Sequence, residues 1–178
     1  MKPEEFLEFI KKRRSIRKFL DTQITDEEIK MIIEAGRWAP SAENTQPWEF
    51  IVIENKNILE NIAKTGYAFA LRRAPMSIAI VTKMDDSLDP SETLKPLDRL
   101  GFRAANCSLA AMNMVLMAWA LNIGTCFVAD FDRNYAKKIL DLSEHDYLLF
   151  IIAIGYIKGE VPKLAKRKNF DDICYFIK

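Results

Sequence analysis

The sequence predicts an α+β fold with one sheet sandwiched between helices. Three observations carry this. Two helical patterns open the chain before any strand pattern, so helices and strands do not alternate as a parallel α/β fold requires. The strand runs are few and separated by long segments. One of them, Tyr147–Ile154, is apolar without interruption, the mark of a central strand covered on both faces.

Pro3–Lys12 reads as the first helix, with an apolar stripe of Phe6, Leu7, Phe9 and Ile10. Thr25 and Glu28 match a capping box that opens a second helix through about Trp38. Ile29, Ile32, Ile33 and Ala35-Gly36 give its buried face, and Pro40 ends it. Phe50–Ile53 is a short strand. Asn57 to about Arg73 is one or two helices broken near Gly66, and Met76–Thr82 is a buried strand. Lys83–Leu97 carries four acids, two prolines and no apolar period, and reads as a surface loop. Asp98–Asn122 is the longest helix. Thr125–Ala129 is a strand, Arg133–Leu140 a helix and Tyr147–Ile154 the central strand. Lys158–Asn169 is a basic irregular segment, and Ile173–Ile177 is a candidate last strand. No repeat or linker divides the chain, so residues 1–178 are expected to form a single domain.

With 178 residues, 49% of them hydrophobic, the chain can bury a proper core. Its 26 basic and 25 acidic residues leave a net charge of +1, which argues against bulk electrostatic binding to nucleic acid or to an anionic membrane. The start of the chain is charged and shows no apolar signal region. The longest apolar stretch, Leu109–Leu121, is about 13 residues where a membrane span needs about 20. A cytoplasmic protein is expected. Cys107, Cys126 and Cys174 are dispersed, no CxxC occurs, and the single histidine, His145, sits in a polar stretch. Neither a metal site nor a disulfide framework is expected, and no residue near the cysteines offers an activating environment.

The second half of the long helix is apolar nearly all round. Such a helix is buried on every side, which is hard to achieve in so small a domain without a partner. The pattern favours a dimer with this helix at the interface. A central core helix in a monomer is the plainer alternative.

Two short segments carry the chemistry. Arg13-Arg14-Ser15-Ile16-Arg17-Lys18-Phe19 packs cations around a hydroxyl at the close of the first helical stretch, where a helical turn would set Arg13 and Arg17 on one side. Cations with a serine suit a phosphate. Pro40, Ser41, Ala42, Asn44 and Gln46 belong to a polar turn that leads through Pro47 and Trp48 into a strand. Its amides both donate and accept, which suits the edge of a heterocycle. Together the segments suggest a phosphorylated, planar, polar-edged ligand. Each also has a plainer reading, a solvated basic helix end for the first and a locally bonded turn for the second. The six glycines build neither GxGxxG nor a P-loop, so any phosphate is held by side chains. The basic run Lys163 to Lys168 gains a role only if it folds back to complete the site begun by Arg13.

The order RRSIRKF, APSAENTQPWEFIV, ALNIGTCFV, Ile154-Gly155-Tyr156 and KRKNFDDI resembles the nitroreductase family of flavin oxidoreductases over nearly the whole chain. The resemblance implies an interlocked α+β homodimer with a single mixed or antiparallel sheet and two FMN sites at the subunit interface. It implies that Arg13, Arg14, Ser15 and Arg17 contact the flavin. Arg13 and Ser15, joined by Arg167, would bind the phosphate, and Arg17 would reach the pyrimidine side. Pro40, Ser41, Ala42, Asn44 and Gln46 would come from the other subunit. Backbone groups around Ala129 and Asp130 would face flavin N5. Family members often have glycine where Asp130 stands and an acid where Ala129 stands. A polar pair that longer members carry has no counterpart around Tyr67 to Ala70.

The implied activity is ping-pong. NADH or NADPH donates hydride to the flavin and leaves, and a nitroaromatic, quinone or similar conjugated acceptor follows. The flavin carries the chemistry, and no catalytic side chain is assigned. A specialised flavin enzyme, such as a dehalogenase or a flavin-consuming oxygenase, and a non-enzymatic flavin binder are the rival readings.

Overall fold

The computed structural model describes residues 1–83 and 96–177. The chain runs α1 (Pro3–Lys12), α2 (Asp26–Arg37), β1 (Trp48–Ile53), α3 (Lys56–Ala63), α4 (Phe69–Arg73), β2 (Met76–Lys83), α5 (Pro96–Ala120), β3 (Ile123–Val128), α6 (Arg133–Ile139) and β4 (Asp146–Tyr156). The four strands form one antiparallel sheet in the order β1-β2-β4-β3. Most of the expected loop between β2 and α5 lies outside the described residues, and its two ends are regular: β2 reaches Lys83 and α5 starts at Pro96. Proline suits a first helical turn, where its missing N–H has no intrahelical partner to lose.

The two central strands sort their side chains with period two, although their sequences are apolar throughout. Ile78 and Ile80 of β2, with Ile152 and Ile154 of β4, pack under α2 and α5. Ala79, Val81, Ile151 and Ala153 pack instead with Leu59, Ile62 and Leu71 from α3 and α4, and with Ala136 of α6. Helices therefore cover both faces. Asn122 adopts φ 58 and stops α5 sharply, so β3 begins at Ile123, two residues earlier than the pattern suggests.

Two helices keep apolar surface that the single chain does not cover, and one expected strand is absent. The apolar stripe of α1 does not enter the core. No residue of α1 is buried, and Phe6, Leu7 and Ile10 stay 43%, 51% and 38% exposed. The long helix is buried on one side only: Ala110, Ala111, Met114, Val115 and Ala118 are covered, while Phe102 and Leu109 are exposed. Ile173–Ile177 forms no strand. A 3-10 turn at Phe170–Asp172 precedes it, and it pairs with none of the four strands. A lone strand would leave its N–H and C=O groups without partners.

The capping box forms as read, and it does more than cap. Thr25 N donates to Glu28 Oε2 at 2.9 Å, and Glu28 N donates to Thr25 Oγ1 at 3.3 Å. Tyr156 Oη also donates to Glu28 Oε2, at 2.7 Å, tying the start of α2 to the end of β4. The Tyr156 hydroxyl, and then the Thr25 N–H, hold the Glu28 carboxyl below its usual value. A lowered carboxyl stabilises the fold above its unfolded value and loses that contribution as pH falls. Denaturant midpoints of wild type and Glu28→Gln are therefore expected to differ at neutral pH and to converge below pH of about 4.

Candidate cofactor site

Beyond Lys12 the backbone leaves the helix. Arg13 has φ −57 and ψ 136, and the non-helical segment from Arg13 to Leu20 touches the sheet through two isolated bridges. Ile16 N donates to Thr125 O at 2.8 Å, Ser15 forms a parallel bridge with Thr125, and Phe19 forms an antiparallel bridge with Ile157. Ile16 and Phe19 are 2% and 4% exposed. Two glycines make room for them. A Cβ at Gly124 would stand 2.7 Å from Ile16 Cβ, and one at Gly155 would stand 3.0 Å from Phe19 Cβ. The sequence reading set Arg13 and Arg17 on one side through a helical turn. In the structure neither lies in a helix, since α1 ends at Lys12, and both come within electrostatic reach of Cys126.

The charges follow from this placement. Arg13 sits within electrostatic reach of Arg14, Arg167 and Cys126. Burial first, and then the Arg14 and Arg167 cations, hold its pKa below the usual arginine value. Burial pushes the Cys126 thiol up, against the opposing pull of Arg17 and Arg13, so both guanidinium groups lie within electrostatic reach of β3. Arg14 donates through Nη1 to the Lys11 and Arg13 carbonyls, while its Nε is buried without a partner. None of Arg13, Arg14 and Arg167 forms an ion pair among the described residues. The basic tail thus folds back to Arg13, and the cluster has no carboxylate of its own.

Ala129 and Asp130 continue from the strand that carries Thr125 and Cys126, and both are exposed. The turn is braced from the loop after α3. Asp132 N donates to Thr65 Oγ1 at 2.9 Å, and a Cβ at Gly66 would collide with the Asp130 carbonyl. The sequence reading took Gly66 only as a helix break and missed Thr65 altogether. The glycine was the available signal, since a break and a close approach leave the same trace.

Pro40, Ser41, Ala42, Asn44 and Gln46 lie between α2 and β1. Gln46 N donates to Ser41 Oγ at 2.9 Å, and Ala42 N to Asn106 Oδ1 of α5 at 3.4 Å. Gln46 Nε2 reaches Asn44 O at 3.3 Å, so part of the turn is locally bonded. The Asn44 side chain is exposed and makes no hydrogen bond among the described residues. Glu43, Asn44 and Gln46 all have positive φ, at 50°, 57° and 46°. Three left-handed residues without a glycine store backbone strain of the kind that clusters at ligand sites.

Within one chain the two segments stand apart. Ser15 lies in the row of Thr125, Ile154 and Met76, outside β3. The turn enters β1 at Trp48, in the row of Thr82 and Tyr147, at the other edge. Four strand spacings separate them across the sheet, about 19 Å, and six residues separate them along it, about 20 Å. They occupy diagonal corners roughly 27 Å apart, farther than one mononucleotide bridges.

Residues 10–65 and 60–156 match the model of the nitroreductase family. The chain belongs to the nitroreductase family. It is 34% identical over 161 residues to a protein of Archaeoglobus fulgidus provisionally named NADH dehydrogenase/NAD(P)H nitroreductase, covering 88% of each chain. A nitroreductase family protein of Streptococcus pneumoniae superposes with TM-score 0.85 at 26% identity, over 96% of this chain and 98% of that one. An FMN-dependent nitroreductase of Clostridium difficile superposes with TM-score 0.73 at 28% identity, over 94% of each chain. The nitroreductase fold accounts for the antiparallel sheet and its two helical layers, and the chain is accordingly an oxidoreductase.

The strained turn offers a direct check. Glycine at position 43 relieves the left-handed geometry, whereas a β-branched residue worsens it. Urea unfolding is expected to place Glu43→Val at least about 1 kcal/mol below Glu43→Gly.

Proposed function

We propose that the protein is an FMN-dependent oxidoreductase that takes electrons from NADH or NADPH and passes them to nitroaromatic, quinone or similar conjugated acceptors. The observation that carries this is the Arg13, Arg14 and Arg167 cluster, which gathers cations without a carboxylate and leaves a buried guanidinium nitrogen without a partner. A doubly charged phosphate fits such a cluster. The FMN-dependent relative and the NADPH-dependent oxidoreductase of Staphylococcus aureus, 24% identical over 177 residues, support the cofactor and donor by likeness.

Arg13, Ser15 and Arg167 would hold the phosphate. Arg14 braces the cluster from behind, through the Lys11 and Arg13 carbonyls. Arg17 would lie toward the ring, where a permanent cation favours negative charge. The backbone at Ala129 and Asp130 would border the ring. When bound, FMN supplies the hydride chemistry, and the chain's own groups bind and orient it.

The diagonal separation supports a homodimer with two shared sites, each joining Arg13 to Arg17 of one copy with Pro40 to Gln46 of the other. The unburied stripe of α1 and the open side of α5 support the same assembly. Among the described residues no helix is long and apolar enough to cross a membrane, and a cytoplasmic location accords with that.

The purified protein is expected to show flavin absorption that bleaches anaerobically with NADH or NADPH. Persistent bands would leave a binder, and no flavin after FMN addition would end the reading. Arg13→Ala is expected to weaken FMN binding at least about tenfold, the worth of one charged phosphate contact.

The shared site has its own test. Arg13→Ala and Asn44→Ala dimers would each carry two damaged sites, but a mixed dimer would carry one doubly damaged site and one intact. Refolding equal amounts together is expected to restore roughly a quarter of wild-type high-affinity FMN sites, given two-fold symmetry. No restoration would place both residues in one chain's site.

A further inference from the structure

A second basic depression lies beside the candidate flavin site, sharing Lys18 and Lys158 with the cavity that Ser15 and Arg17 line. Lys18, Lys56, Arg72, Arg73 and Lys158 surround a cavity of about 370 Å³, with Asp21 as its one acid. Lys18 and Lys158 are brought together by the backbone. Lys158 N donates to Lys18 O at 3.1 Å, next to the antiparallel bridge between Phe19 and Ile157. Like charges set on neighbouring paired segments repel, and neither ammonium forms an ion pair among the described residues. None of the five cations forms an ion pair among the described residues, Asp21 included.

The fold accounts for two of the five. Lys56 Nζ donates to the Ala74 carbonyl at 3.0 Å, closing the end of α4. Arg72 stacks over the Phe69 ring at 5.7 Å. Lys18, Arg73 and Lys158 make no side-chain hydrogen bond or ring contact among the described residues. The C-terminal dipole of α4 attracts cations, but α4 is five residues long and its field falls off within a turn. A chain of net charge +1 has no general excess of cations to scatter here.

We infer that this depression binds a diphosphate-bearing ligand, held by the Arg73 fork and by the Lys18 and Lys158 ammonium groups. A guanidinium suits two phosphate oxygens at once, and paired ammonium groups suit the second phosphate. Two sources share this chemistry: the diphosphate of a pyridine dinucleotide on its way to the flavin, and a free nucleotide acting at a separate site.

Calorimetric titration with inorganic pyrophosphate at low ionic strength tests it, on protein saturated with FMN. One saturable site per chain is expected. Arg73→Ala and Lys158→Ala are each expected to weaken it at least about tenfold, and added salt should weaken it further. Both are exposed side chains, so the folded state is expected to survive their loss. Arg13→Ala is the control for the neighbouring cluster and is expected to leave pyrophosphate affinity unchanged. No saturable binding, equal affinity in both variants, or loss on Arg13→Ala alone would overturn the inference. Failure of the flavin reading would show as failure to saturate with FMN, and the same titration and variants on the flavin-free protein then test the depression alone. Displacement by NADPH would assign the site to the electron donor. Displacement by ADP but not by NADPH would assign it to a free nucleotide.

Discussion

The structure depends on how one short segment is held against the sheet. Ile16 and Phe19 are buried in notches that exist because Gly124 and Gly155 carry no Cβ. With those two side chains held inward, Ser15 bridges Thr125, and Arg13 and Arg17 come within electrostatic reach of Cys126. The apolar anchors thus position the cations, although no anchor touches the ligand proposed here. The same pairing continues to Lys18 and Lys158, so one line of backbone hydrogen bonds sets out both basic clusters.

That line has a topological consequence. It lies outside β3, while the strained turn at residues 43–46 feeds β1 at the opposite edge. A four-stranded sheet is a rigid spacer, and no rotamer change brings its diagonal corners together. A ligand contacted by both segments needs a second chain. The strain at Glu43, Asn44 and Gln46 fits this view, and it is held by a bond to Ser41 within the turn and by one from Ala42 to Asn106 of α5.

Much of the fold was legible in the sequence because the signals were local. The Thr25 and Glu28 capping box, the Pro40 stop and the apolar run of β4 each act over a few residues and appear where read. The readings that failed depended on neighbours. Nothing in Phe6, Leu7 and Ile10 says whether their stripe meets its own core or another surface. Ile173–Ile177 has strand-like composition but no edge to join. The candidate site was legible as residue types and not as geometry. Arg13 and Arg17 both come within reach of Cys126 without the helical turn their spacing suggests. Thr65 and Asn106 brace the site through single long-range hydrogen bonds, which leave no periodicity to detect.

What the chain leaves uncovered points the same way as what it leaves unpaired. Phe6, Leu7 and Ile10 of α1, Leu109 of α5, and Phe170, Ile173, Tyr175 and Phe176 of the tail are all more than a third exposed. Singly, such residues are ordinary on a surface, but an amphipathic helix with no buried residue has not found the face it was built for. Burial of apolar area stabilises by about 25 cal/mol per Å², so a second copy that covers α1, the open side of α5 and the tail would gain much more than the lone chain can. The split of the flavin-type segments across the sheet and the unburied apolar surface are then two results of one arrangement. In the homodimer proposed above, a second copy would complete both the core and the site.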